Sequence, residues 1–215
     1  MRAVLPARNV ALVVALGATL ACKGSSWADL EVPDSPYYLY NGRAIYLTYN
    51  TTRITVEADS AVVSQLPASA GVGVDSVRPF VQARGQWILW LSRGLSPGAA
   101  FQAALNLRLT PSVQFASNAY DSPEDAFAGC TPTLMLDNTL AVQFKSGVTS
   151  SEIGDLLQQM HTSGRPDQYI PSLWLLRYPV GMQEPPLQLA NDLSSNPLVV
   201  FAEADKVASD CNELG

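Results

Sequence analysis

Thr139-Leu140-Ala141-Val142-Gln143-Phe144 opens a stretch that closes at Pro197-Leu198-Val199-Val200-Phe201-Ala202-Glu203-Ala204-Asp205, and the segments between these two decide the fold. Thr139–Phe144 reads as a strand. Thr149-Ser150-Ser151-Glu152 sets Ser/Thr ahead of Glu, a helix-start pattern in which side chains and backbone cap each other. Ile153, Leu156, Leu157 and Met160 follow at helical spacing and give that helix one apolar face. Gly164-Arg165-Pro166 breaks it. Gln168-Tyr169-Ile170 and Leu173-Trp174-Leu175-Leu176-Arg177-Tyr178 then read as strands, Pro186 to Leu193 as a second helix, and the run after Pro197 as the last strand. The order is β-α-β-β-α-β, that of a ferredoxin-like unit.

Working back along the chain, the same order recurs in a poorer copy. Arg53-Ile54-Thr55-Val56-Glu57-Ala58 is its first strand, and Ala61 to Gly73, interrupted by Pro67 and glycines, is a helix region reduced to little more than a turn. Val77 to Ala83 and Gln86 to Leu91 form a hairpin about Arg84-Gly85, and Ser96-Pro97 opens a helix with proline in its first turn. Both copies end in a helix, a proline, an apolar strand and Phe-Ala: Pro111-Ser112-Val113-Gln114-Phe115-Ala116 in one, Pro197 to Ala202 in the other. Upstream, Tyr37 to Tyr40 and Ala44 to Tyr49 flank Asn41-Gly42, the dipeptide of tight hairpins. The expected fold class is therefore α+β: two ferredoxin-like units with antiparallel sheets, related by an internal repeat and preceded by a β-hairpin. Asn118 to Asp137, with Asp121-Ser122-Pro123 and Gly129-Cys130-Thr131-Pro132, reads as an exposed linker. The expected divisions are a signal peptide over 1–21, a flexible tether over 22–36, the hairpin and first unit over 37–117, the linker over 118–137, and the second unit with its tail over 138–215.

The opening residues predict export. Arg2 and Arg8 precede Val10 to Ala21, an apolar run too short to span roughly 30 Å of hydrocarbon as a helix. Thr19-Leu20-Ala21-Cys22 resembles a lipoprotein signal, with Cys22 as the lipidated residue and the membrane reached through that anchor alone. Ordinary cleavage after Ala21 or Ala28 is the alternative. With Cys22 at the signal boundary, Cys130 and Cys211 remain as an even pair, which in an oxidising compartment reads as a disulfide rather than two buried thiols.

Composition excludes several function classes. The 215 residues are 47% hydrophobic and 15% charged, enough to bury a core. A formal charge of −6 argues against nucleic acid, whose phosphates need a concentrated positive field. The sole histidine, His161, sits at a helix end, and no nucleophile motif, glycine-rich phosphate loop or Cys-x-x-Cys occurs, so neither an enzyme nor a cofactor is expected. Asp121, Glu124 and Asp125 lack the alternating spacing of a calcium loop and read as a solvated acidic loop, so no metal is expected. Trp87 and Trp90, three apart in a strand, point to opposite faces.

Leu140 to Lys145, the turn Gly147-Val148-Thr149 into a helix at Glu152-Ile153, and Ala190 to Glu203 with its Asn196-Pro197-Leu198-Val199 link resemble the propeptide and inhibitor domains of subtilisin-like serine proteases. The tyrosine-rich hairpin also resembles an N-terminal segment of some bacterial subtilase pro-regions. The resemblance implies a module whose sheet rests on a protease while the stretch after its last strand enters the substrate cleft. Here that stretch is Ala204, Asp205, Lys206, Val207, Ala208, Ser209 and Asp210, with the strand expected to end near Ala204. The sequence stops at Gly215 without a protease domain, so the expected partner is a secreted subtilisin-like protease bound in trans, for inhibition or assisted folding. A surface-anchored interaction lipoprotein without a protease target is the alternative.

Overall fold

The computed structural model describes residues 36–40, 42–81, 85–126 and 130–208. Expectations for the signal peptide, the tether up to residue 35, Cys22, Ser209, Asp210 and Cys211 lie outside the described residues. Among those described, no helix is long and apolar enough to cross a membrane.

The chain enters through a hairpin of β1 (Tyr37–Tyr40) and β2 (Arg43–Tyr46), which form a two-stranded sheet with Tyr37 opposite Tyr46. Gly42 takes the left-handed turn conformation, φ 75°, that a side chain disfavours. The expected second strand, Ala44 to Tyr49, is broken at Leu47. Buried Leu47 donates its N–H to Pro36 O, in register with the β1–β2 ladder and closing its end. From Thr48 a new strand begins.

The first half runs β3 (Thr48–Ala58), a 3₁₀ stretch Ser60–Gln65 into the one-turn helix α1 (Leu66–Ala70), β4 (Val74–Val81), β5 (Gln86–Leu91), α2 (Pro97–Arg108) and β6 (Val113–Asp121). Proline near the start of α1 and left-handed Gly71 just after it hold that helix to five residues, as the sequence suggested. The second half runs β7 (Thr133–Phe144), α3 (Ser150–Gln159), β8 (Gly164–Pro166), β9 (Leu173–Arg177), α4 (Pro186–Ser194) and β10 (Val199–Ala208). Every strand pair among the described residues is antiparallel. The first half orders its strands β4-β5-β3-β6 and the second β8-β9-β7-β10.

The halves join into one eight-stranded sheet through a short pairing of Tyr120 with Leu134 and Asp121 with Thr133. Leu134 also pairs with Ala208, and Leu140 pairs with both Leu176 and Ala204. Thus β6 and β9 border successive parts of one edge of β7, and β10 runs along the other. The fold is α+β, with mostly antiparallel sheet.

The registers of the two halves repeat. Val56 pairs with Ala116 and Glu57 with Phe115; 86 positions later (142 − 56 and 202 − 116), Val142 pairs with Ala202 and Gln143 with Phe201. A register shift next to Val113 recurs next to Val199. The hydrogen bonds that lead from helix to strand repeat at the same interval. Val113 N–H donates to Thr110 O and Val199 N–H to Asn196 O, and Thr110 N–H donates to Leu107 O as Asn196 N–H does to Leu193 O.

Two cores result. One gathers Ile54, Val56, Leu89, Leu107 and the small residues Ala100, Ala103 and Ala104, which let α2 approach its sheet closely. The other gathers Leu140, Val142, Phe144, Leu176, Leu187 and Leu193, and it also takes Phe115 and Tyr120 from β6. Helix α3 begins with the expected capping box. Glu152 N–H donates to Thr149 Oγ1 at 3.3 Å, and Thr149 N–H donates to the Glu152 carboxylate at 2.8 Å. These bonds hold the Glu152 carboxyl below its ordinary range. At the far end, His161 N–H donates to Gln158 O and Thr162 N–H to Leu157 O. That bonding places exposed His161 at φ 52°, the position glycine usually fills in this cap.

Three expectations are corrected. Both ends of the stretch 118–137 are strand rather than exposed linker: Asn118, Ala119 and Tyr120 are buried in β6 and Leu134, Met135 and Leu136 in β7. Turn-forming residues at 121–123 and 129–132 masked two long strands that pair only at their tips. Gln168-Tyr169-Ile170 is a turn and not a strand. Asp167 Oδ1 accepts from the Tyr169 and Ile170 N–H groups, an Asx turn, and Tyr169 stays 82% exposed. The pairing strand is the preceding Gly164-Arg165-Pro166, where Gly164 lies so close to β9 that a Cβ would stand 2.3 Å from Leu176. Finally, β10 does not end near Ala204. A register shift between Ala204 and Lys206 lets it continue to Ala208 along the N-terminal half of β7.

Candidate partner-binding face

The side-chain alternation of β7 sorts the second half into a covered face and an open one. Leu140, Val142 and Phe144 are buried with Ile153 and Leu156 of α3 and Leu187 and Leu193 of α4. Thr139, Ala141 and Gln143 point the other way and are half-buried. The registers carry this parity across the sheet. One row reads Glu203, Ala141, Leu175, Arg165; the next reads Phe201, Gln143, Leu173. Leu173, Leu175 and Phe201 are only partly shielded, and Arg165 and Arg177 are exposed at one corner. Both helices of this half lie on the opposite side.

In the first half the second half covers the part of the corresponding face around Thr55, Glu57, Gln86 and Phe115, while Ile88 and Trp90 stay partly exposed. Thr55 Oγ1 donates to Leu136 O at 3.2 Å, Arg177 Nη2 meets Glu57 Oε1 at 2.7 Å, and Gln86 Nε2 donates to Asp137 Oδ1 at 2.5 Å. Phe115 and Tyr178 stack edge to face with centroids 5.5 Å apart. A polar groove of about 320 Å³ remains between Glu57, Gln86, Asp137, Thr139 and Arg177. In the repeated register Phe115 corresponds to Phe201 and Glu57 to Gln143. Phe115 is thus buried at the junction, whereas its counterpart Phe201 is only partly shielded.

Behind this junction lies Arg108, 3% exposed, which donates to Ala116 O at 3.4 Å and Gln183 O at 3.2 Å. Burial raises the phenols of Tyr49, Tyr120 and Tyr178 around it, with Tyr120 pushed up to about 12 although Arg108 pulls it down. All three act as neutral phenols near neutral pH. Tyr178 donates its hydroxyl to Glu184 O, anchoring the segment before α4.

In that segment, burial and then a hydrogen bond and repulsion from Asp192 raise the Glu184 carboxyl to about 7. A carboxyl raised on folding contributes stability that is fully present below its ordinary 4.5 and lost as pH rises through 7. Glu184→Gln keeps a donor toward Asp192 at every pH. The urea midpoint of the variant should fall less than that of the parent between pH 5 and pH 8, roughly the interval these two values bracket. Parallel pH profiles for the two proteins would refute the shared proton.

The residues singled out from sequence scatter. Ala204, Asp205, Lys206, Val207 and Ala208 are held in β10: Ala204 is buried opposite Leu140, and the Lys206 ammonium lies 3.8 Å from the Tyr38 ring centre. They do not form a loop or a free tail, because β7 is long enough to offer them a pairing edge. Cys130 is half-buried just before β7, whereas Cys211 lies outside the described residues. The acidic segment is tied down rather than merely solvated. Asp121 accepts from Asn50 and Thr133, and Glu124 pairs with Arg43, fastening the hairpin. Among the described residues no three His, Cys, Asp or Glu side chains converge as metal ligands. The residues of the open face were not singled out from sequence, although the resemblance implied a sheet that rests on a protease. The signal for that face was present in Leu173-Trp174-Leu175-Leu176, which is apolar on both parities, as in a strand covered on two sides.

Among the described residues the fold is an antiparallel α+β module whose second half has one sheet surface covered by helices and one that no helix covers. The chain matches no family model, and no curated protein is significantly similar to it.

Proposed function

We propose that this chain is an exported propeptide-like module that binds a subtilisin-like serine protease in trans, as inhibitor or folding helper, through the open face of its second half. In this reading each half is a ferredoxin-like unit and the two arose by duplication, supported by the 86-residue register repeat and the matched helix-to-strand turns. The observation that carries the docking reading is the half-exposed apolar set Leu173, Leu175, Phe201 and Ala141 on a face that no helix of its own half covers. The sequence resemblance to pro-regions is strongest in the strands that build this face, β7 and β10. Since Ala204 to Ala208 are paired in β10, recognition rests on the face rather than on an extended tail. Export, lipidation of Cys22 and the Cys130–Cys211 bond belong to the same reading. Inhibition titration of the full chain against a secreted subtilisin-like protease tests it.

A further inference from the structure

We infer that the corner of the open face at Arg165 receives a carboxylate from the partner, so that the partner carries an acidic side chain beside its apolar contact patch; this rests on the docking reading above. A groove of about 370 Å³ runs along the β8–β9 edge and is lined by Thr139, Ser163, Arg165, Leu175 and Arg177, with no acid among its described lining residues. Arg177 already meets Glu57. Arg165 forms no ion pair among the described residues, although the chain holds 19 acidic residues against 13 basic ones. Asp167, two residues on, is committed to the Tyr169 and Ile170 amides.

The β8–β9 ladder fixes Arg165 opposite Leu175, in the centre row of the apolar face. A surface that covers Leu175 must therefore also dehydrate the Arg165 guanidinium. Dehydrating an unpaired charge is costly, and a partner that covers it without a counter-charge is selected against. A carboxylate fits: the guanidinium fork offers paired donors, and Ser163 and Thr139 line the same groove. Across the face, Glu203 sits near Lys206, with 4.0 Å between charges, so the demand for a counter-charge falls on the Arg165 side.

The test has two arms. In the first, the ¹⁵N-labelled chain is titrated with capped tetraglutamate, with capped tetralysine as control. Amide shifts should concentrate at Ser163, Gly164, Arg165 and Arg177 with tetraglutamate alone and vanish in Arg165→Ala. Absence of those shifts, or their persistence in the variant, overturns the inference. In the second, Arg165→Glu should slow association with the protease by about three- to tenfold at low salt, and the deficit should shrink near about 0.5 M salt. Unchanged association in that variant also overturns it. Should the wild-type chain bind no subtilisin-like protease while the peptide shifts appear, the protease reading falls and the acidic-ligand site stands.

Discussion

Reducing a Cys130–Cys211 bond is expected to lower the stability of the folded chain by roughly 4 kcal/mol, the loop-closure entropy of a ring of about 80 residues, with strain or residual structure trimming the value. The described strands bring the two flanks together. Ala208 pairs with Leu134 and Val207 with Met135, so three further residues of β10's chain and four preceding residues of β7's chain separate the last observed pair from the two cysteines. The bond would clasp the first strand of the second half to its last, at the end where the first half also attaches. Urea unfolding with and without reductant measures the difference. Two free thiols by mass spectrometry of exported protein would refute the bond.

The second large effect is Leu176→Ala, for which a loss of about 3 kcal/mol is expected. Leu176 is fully buried in the second core and is approached by Gly164 from the edge strand. Gly164→Ala should also destabilise, by about 1–3 kcal/mol, because its new Cβ would meet Leu176 Cδ2 at 2.3 Å and Leu175 O at 3.2 Å. The leucine is enclosed and cannot swing aside. The double variant provides the sharper measurement. Removing the leucine relieves the clash, so the two losses should sum to more than the double variant shows. Strict additivity would mean that β8 simply moves outward and that the contact is not tight.

Much of this architecture was legible because its signals are local. Thr149 and Glu152 announced the capping box, Pro97 and Pro186 the helix starts, and the matched Pro–strand–Phe-Ala endings the positions where β6 and β10 begin at the same offset. What misled was pairing, which is non-local. Nothing in Gly164-Arg165-Pro166 alone says that three residues with a proline will form the edge strand while Gln168-Tyr169-Ile170 turns back under Asp167. The reach of β10 to Ala208 depends on the N-terminal part of β7, 74 residues earlier in the chain (208 − 134), and on a register shift that alternation cannot forecast. The functional surface was obscured for the same reason. A half-exposed leucine looks like core until the sheet shows which parity the helices cover.

The central claim is that the open face of the second half binds a subtilisin-like protease, and inhibition titration of the full chain against such an enzyme tests it most directly. Wild type, Leu175→Asp and the control Gln158→Ala, an exposed residue on α3, would be compared on cleavage of a small chromogenic peptide. A charge placed in the centre of a buried contact patch should weaken binding by about 100-fold or more, as loss of an interface anchor does. Because Leu175 is half-exposed, the urea midpoint should barely move, and Gln158→Ala should behave like wild type. Binding by wild type that Leu175→Asp abolishes, with folding intact, is the predicted result. Equal inhibition by wild type and Leu175→Asp, or no engagement of the protease by the wild-type chain, would contradict the account.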